Sequence, residues 1–173
     1  MLTIQQFCDR HNACAAGQRW ALANCSSMQE AWDKCENPDW LIWIATRKDV
    51  LDDKSLRLFA VWCCRQVQHL MKDPRSIAAV DAAEQFANGL ITVKQSASAR
   101  NAAYAAAYAA AVADAADAAA ANAAVADAAD AAAAYAAAAY AADAADAADA
   151  AARKTAKQAQ MNYLRQNCKP NFT

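Results

Sequence analysis

From Ala99 to Ala152 the chain is 54 residues long, 38 of them Ala, and the remainder is almost only Asp, Tyr, Val and Asn. Nothing else in the sequence restricts the fold as much. Ala loses no side-chain entropy in a helix and buries no polar group, and neither Gly nor Pro occurs between Gly89 and Pro170. The stretch is expected to be helical. Its entrance, Thr92-Val93-Lys94-Gln95, has the form of a capping box, and Lys154, Lys157 and Arg165 lie towards the far end, where cations favour the helix dipole. A single rod from Val93 to Asn167 would be roughly 110 Å long at about 1.5 Å per residue, too long for a compact chain of this size. At least one break is therefore expected, first of all at Asn122.

The pattern inside the run sets how it packs. Tyr104, Tyr108 and Val112 follow one another at i+4 as an apolar stripe, while Asp114/Asp117, Asp127/Asp130 and Asp143/Asp146/Asp149 recur at i+3 and mark solvated flanks. Ala methyls let two helix backbones approach closely, so antiparallel Ala helices are the expected arrangement. The alternative is a lone solvated Ala/Asp helix or a fibrous arm.

Before the run, start signals recur. Thr3-Ile4-Gln5-Gln6 and Ser27-Met28-Gln29-Glu30 read as capping boxes. Asn37-Pro38 and Asp73-Pro74 each place a capping side chain before Pro at the first helical position. Asp52 or Asp53 caps a helix whose stripe runs Leu56, Phe59, Ala60, Cys63, Val67, Leu70, and Gly89 closes the next one. No stretch alternates at period two, so no sheet is expected. The fold class is all-α: six to eight helices, with a head of short helices over residues 1–92 and long Ala-rich helices over 93–173, together one integrated domain.

Charge is divided along the chain. Asn101–Ala152 carries seven Asp and no Lys or Arg, which leaves eleven acidic and seventeen basic residues elsewhere, a net +6. A basic head fits an anionic ligand or an acidic partner; alternatively its cations only offset the Asp-rich helices. Nucleic acid is not an expected partner, since the longest helices are acidic and would repel phosphates. The run has too many Asp to span a bilayer, and Met1–Gln6 has no signal-sequence form. Seven Cys, in no CxxC or Cys/His metal spacing, read as reduced, buried thiols. A cytoplasmic protein without cofactor or metal is expected.

Catalytic patterns are absent. His11 and His69 are the only His, Gly17 and Gly89 the only Gly, and HExxH, GxSxG, Walker A and GxGxxG motifs do not occur. Cys63-Cys64 with His69 can be written as nucleophile and base, but Cys63 falls on the apolar stripe. Binding is better provided for. All five Trp lie between Trp20 and Trp62; Trp32 and Trp43 sit on apolar faces as core, whereas Trp20 and Trp40 can stack a base and guanidinium forks can grip phosphate. The expected ligand-binding set is Trp20 and Trp40 for stacking, Arg57, Arg65 and Arg75 for phosphate, Asp39 and His69 for polar edges, and Tyr163 with Arg165 as a C-terminal wall.

Ala13-Cys14 with Gly17 and Trp20, Glu30-Ala31-Trp32-Asp33-Lys34-Cys35, Pro38-Asp39-Trp40-Leu41-Ile42-Trp43, the run Leu56–Arg65, His69-Leu70, Asp73-Pro74-Arg75-Ser76 and Ala83–Gly89 together resemble the Imm5-like immunity protein family of bacteria and phages. The resemblance covers roughly residues 10–165, although relatives often carry Trp or Arg where this chain has Tyr or Asp. It implies a small cytoplasmic helical protein that neutralises something by binding it, in the host bacterium if phage-encoded. Two readings follow. One is a counter-defence sponge that sequesters an anionic nucleotide immune signal in a Trp/Arg pocket. The other is an inhibitor that covers a toxin or defence enzyme with its acidic helical face. Since Ala surfaces bury little area within one monomer, a homodimer is expected.

Overall fold

The computed structural model describes residues 2–109, 131–145 and 150–173. They form nine α-helices and one short 3-10 helix, with no strand among them. The head consists of α1 (Ile4–His11), α2 (Ala15–Asn24), α3 (Met28–Lys34) and α4 (Pro38–Ala45). Next come α5 (Asp53–Gln66), the 3-10 turn Gln68–Leu70, α6 (Pro74–Ala87) and α7 (Val93–Ala109). The Ala-rich part contributes α8 (Ala131–Ala145) and α9 (Ala150–Asn167).

Most helix starts follow their local signals. The Thr3 box closes in both directions, Asn37 Oδ1 accepts from the amides of Asp39 and Trp40 at 3.0 and 3.2 Å, Asp52 caps α5 through Ser55 N–H at 2.7 Å, and Asp73 caps α6. Thr92 and Gln95 exchange their bonds ahead of α7. Gly89, at φ +72°, ends α6: its N–H donates to Phe86 and that of Leu90 to Gln85, the paired bonds of a Schellman turn. The Ser27 box differs. Ser27 Oγ caps Glu30 N–H, but the Glu30 carboxylate accepts from the N–H and hydroxyl of Ser26. Lys34, one turn on, draws the same carboxylate.

Helix α5 is the centre, packed by α6, α8 and α9, while α9 also crosses α4 and α7 doubles back along α6. Buried residues therefore surround much of α5: Leu56, Arg57, Phe59, Ala60, Val61, Cys63 and Cys64. Leu70 is not part of that stripe. The helix ends at Gln66 and the chain tightens into the 3-10 turn, so Leu70 swings outward and is 36% exposed. On α8, Ala137, Ala138, Ala141 and Ala142 are buried, and Gln160 of α9 donates to the Ala138 carbonyl at 2.8 Å. The rod is thus divided, with α8 and α9 side by side. Asn122, Tyr104, Tyr108, Val112 and every Asp of the run except Asp143 are beyond the residues whose side chains are described.

Head and tail share one core: Phe7, Trp32, Leu41, Phe59, Met161 and Leu164 belong to the same buried cluster. The termini close it. Leu2 N–H donates to the Phe172 carbonyl at 3.0 Å and Asn171 N–H to that of Val50 at 2.7 Å, and the Phe172 ring meets Phe7 and Trp32 edge-on at 5.8 and 6.5 Å.

Candidate binding cavity

The first turns of α2 and α4 wall a small cavity. Cys14 precedes α2, and its Sγ accepts from Gly17 N–H at 3.4 Å. Gly17 has no side chain to fill the space beyond: a Cβ there would stand 3.3 Å from Cys14 Sγ and 3.6 Å from Cε2 of Trp40. Trp20, one turn further along, meets Trp40 with ring centroids 5.9 Å apart and planes at 46°. At that separation the two indoles touch each other, so the space lies beside the pair rather than between them. Trp43, Ile44, Cys8, Ala21, Ala31 and Cys35 add to the walls, and the volume is about 180 Å³. A void near 150 Å³ takes benzene, whereas drug-sized ligands occupy roughly 300–1,000 Å³. A space of this size has room for one compact group.

Its electrostatics are simple. Asp39, in the first turn of α4, is the one charged residue among the described residues lining it, and Lys157 Nζ of α9 lies 2.6 Å from Asp39 Oδ1. Burial pushes the Cys8 and Cys35 thiols up, so both are neutral walls. The Trp43 face carries the Arg47 guanidinium at 4.8 Å. Beyond Trp20 lies an open polar groove of about 530 Å³ with Asn24, Asp33, Lys34, Glu36 and Arg165. Lys34 is held by Glu30 at 2.5 Å, and Arg165 Nη2 donates to the carbonyls of Trp32, at 3.2 Å, and Cys35.

Of the residues expected from sequence, Trp20, Asp39 and Trp40 come together, with Arg165 in the adjoining groove. The others do not line the cavity. Arg57 is buried, its guanidinium 4.5 Å above the Phe86 ring. Arg65 ties α5 to α6 through Asp81 at 2.8 Å and Glu84 at 2.5 Å. Arg75 folds back on Asp73, the cap of its own helix, at 2.7 Å. His69 is exposed on the 3-10 turn. Tyr163 stacks on Trp62 at 4.7 Å and 28°. A phosphate grip from Arg57, Arg65 and Arg75 is thus not assembled beside the two indoles, because packing and ion pairs within the fold already engage all three.

Cys63 is wholly buried and its thiol pushed well up, while Cys64 is raised to about 12 by the same burial. Neither offers a thiolate to the exposed His69. The expectation of uniformly buried thiols fails at Cys14, which is exposed, and Cys25, which is half-buried. Among the described residues no cluster of His, Cys, Asp or Glu is placed to hold a metal, and no helix is long and apolar enough to cross a membrane.

Sequence reasoning passed over Cys14, Gly17, Trp43 and Lys157 as site residues. The first two had a signal, since Cys14, Gly17 and Trp20 recur at i+3 on one helix face. Lys157 had none, lying 118 residues from its partner. Comparison with family models, curated proteins and solved structures returned no match.

Proposed function

We propose that this chain is a non-enzymatic binding protein that neutralises a small molecule by enclosing one compact group of it in the cavity beside Trp20 and Trp40. The observation that carries this reading is the cavity itself: apolar walls, the Trp20 and Trp40 indoles and, among the described lining residues, a single carboxylate. The resemblance to Imm5-like immunity proteins, which implies neutralisation by binding, points the same way. For a nucleotide signal the support reduces to the indoles, which can receive a base; the cavity is too small for a dinucleotide.

The test is a panel of small ring compounds, nucleosides, cyclic nucleotides and alkylammonium ions, screened by thermal shift and by alkylation of Cys14. A ligand at 100 times its Kd stabilises the fold by about 2.7 kcal/mol. It should also shield Cys14, which lines the cavity, and leave Cys25, which does not, unchanged. A melting shift that persists in Trp40→Ala, or that leaves Cys14 as reactive as before, would place binding elsewhere. No shift with any compound would turn the search to a protein target and the Asp-rich helices.

A further inference from the structure

The sign of the charge that the cavity accepts can be read from its donors and acceptors, granted that it is the ligand site. Two helices begin at its walls, and a helix start normally offers free amides to an anion. Here each first-turn residue that lines the cavity, Gly17, Asp39 and Trp40, has its amide taken by a cap. Gly17 N–H is bound to Cys14 Sγ, and the amides of Asp39 and Trp40 are bound to Asn37 Oδ1. Among the described residues no Lys or Arg lines the cavity. An anion entering it would lose its water and find no Lys or Arg among the described lining residues, with Lys157 outside the wall already held by Asp39, a costly exchange.

A cation meets the opposite. Indole faces attract it through their quadrupole, the more strongly when it is desolvated. The wall already shows both halves of that recognition with groups of its own: the Arg47 guanidinium stands over Trp43, and the Lys157 ammonium sits on Asp39. Lys157 approaches from α9 and is not itself a lining residue.

We infer that the group entering the cavity is a compact organic cation, an alkylated ammonium of about trimethylammonium size, held against Trp20 and Trp40 and balanced by Asp39. Lys157 is then its internal rival for the carboxylate.

The probes are choline, its uncharged carbon isostere 3,3-dimethylbutanol, and the anion pivalate, titrated against the full chain by calorimetry and Trp fluorescence. Choline should bind about tenfold or more tightly than the isostere, and pivalate not at all. Asp39→Asn should erase the preference while the isostere still binds; Asn37, not Asp39, caps α4, so the variant keeps its helix start. Lys157→Met should tighten choline. Equal binding of choline and the isostere, or weaker choline binding in Lys157→Met, would overturn the assignment of charge and leave the cavity as the site. Failure of choline, its isostere and indole, a neutral ring probe, to bind would overturn the cavity as a ligand site, and the proposed function with it.

Discussion

The guanidinium of Arg165 donates to the carbonyl oxygen of Trp32, through Nη2 at 3.2 Å and Nε at 3.3 Å, across 133 residues of chain. Nη2 also reaches the Cys35 carbonyl. These oxygens belong to the last turn and cap of α3, a helix of seven residues whose terminal carbonyls have no partners of their own. A cation there satisfies them and opposes the helix dipole. Arg165→Met should therefore cost about 1.5–3 kcal/mol in urea unfolding. Arg165→Lys should recover only part, because one ammonium cannot reproduce the fork.

Glu30 gives a pH signature. The Lys34 ammonium beside it, and then the N–H and hydroxyl of Ser26, hold its carboxyl down from 4.5 to about 2. A depressed carboxylate contributes stability that is complete above its unfolded value and is lost as pH falls through the folded one. The stability difference between the parent and Glu30→Gln should be flat at neutral pH, shrink below 4.5 and vanish near 2. Since the pair is exposed, high salt should reduce the difference throughout.

Why some of this was legible and some not follows from range. Thr3, Asn37, Asp52, Asp73, Gly89 and Thr92 act on amides within a few residues, so spacing along the chain was enough to place them. Trp20 and Trp40 were identifiable by chemical type. That Arg65 stands apart from the indoles was not legible, because its partners lie on the next helix, at Asp81 and Glu84, and nothing local says that α6 will lie against α5. Arg75 had its answer two residues away in Asp73, which sequence reasoning had already spent on the helix cap. Leu70 was misplaced by continuing a stripe past Gln66, where the helix ends.

The Ala-rich helix α8 tests whether small side chains are required or merely tolerated. Ala137 is fully buried where α8 packs on α5 and α9, whereas Ala139 is exposed. Both sites have the same helix propensity, so the pair separates packing from backbone preference. Ala137→Leu should destabilise by about 1–3 kcal/mol, because three extra carbons must displace α5 or α9. Ala139→Leu should stay within about 0.5 kcal/mol. Equal effects in denaturant titrations would mean that the face of α8 turned to α5 is loosely filled.

Gly17 separates stability from binding most directly. It lies inside α2 without a positive φ, so its backbone is ordinary helix and Ala should be the better residue by up to about 1 kcal/mol. Against this, the added methyl would stand 3.3 Å from Cys14 Sγ, a side-chain end that can rotate away, and 3.6 Å from the Trp40 ring, an ordinary contact. The fold should therefore accept Gly17→Ala with a melting temperature unchanged or raised. The cavity should not accept it equally well, since the methyl fills volume next to Trp40 in a space of about 180 Å³. Displacing Cys14 Sγ also releases the Gly17 amide from its cap, so alkylation of Cys14 should quicken in the free protein. A variant that melts no lower, binds at least tenfold more weakly and labels faster at Cys14 locates binding beside Trp40. Unchanged affinity with the same melting behaviour would place the ligand away from Gly17.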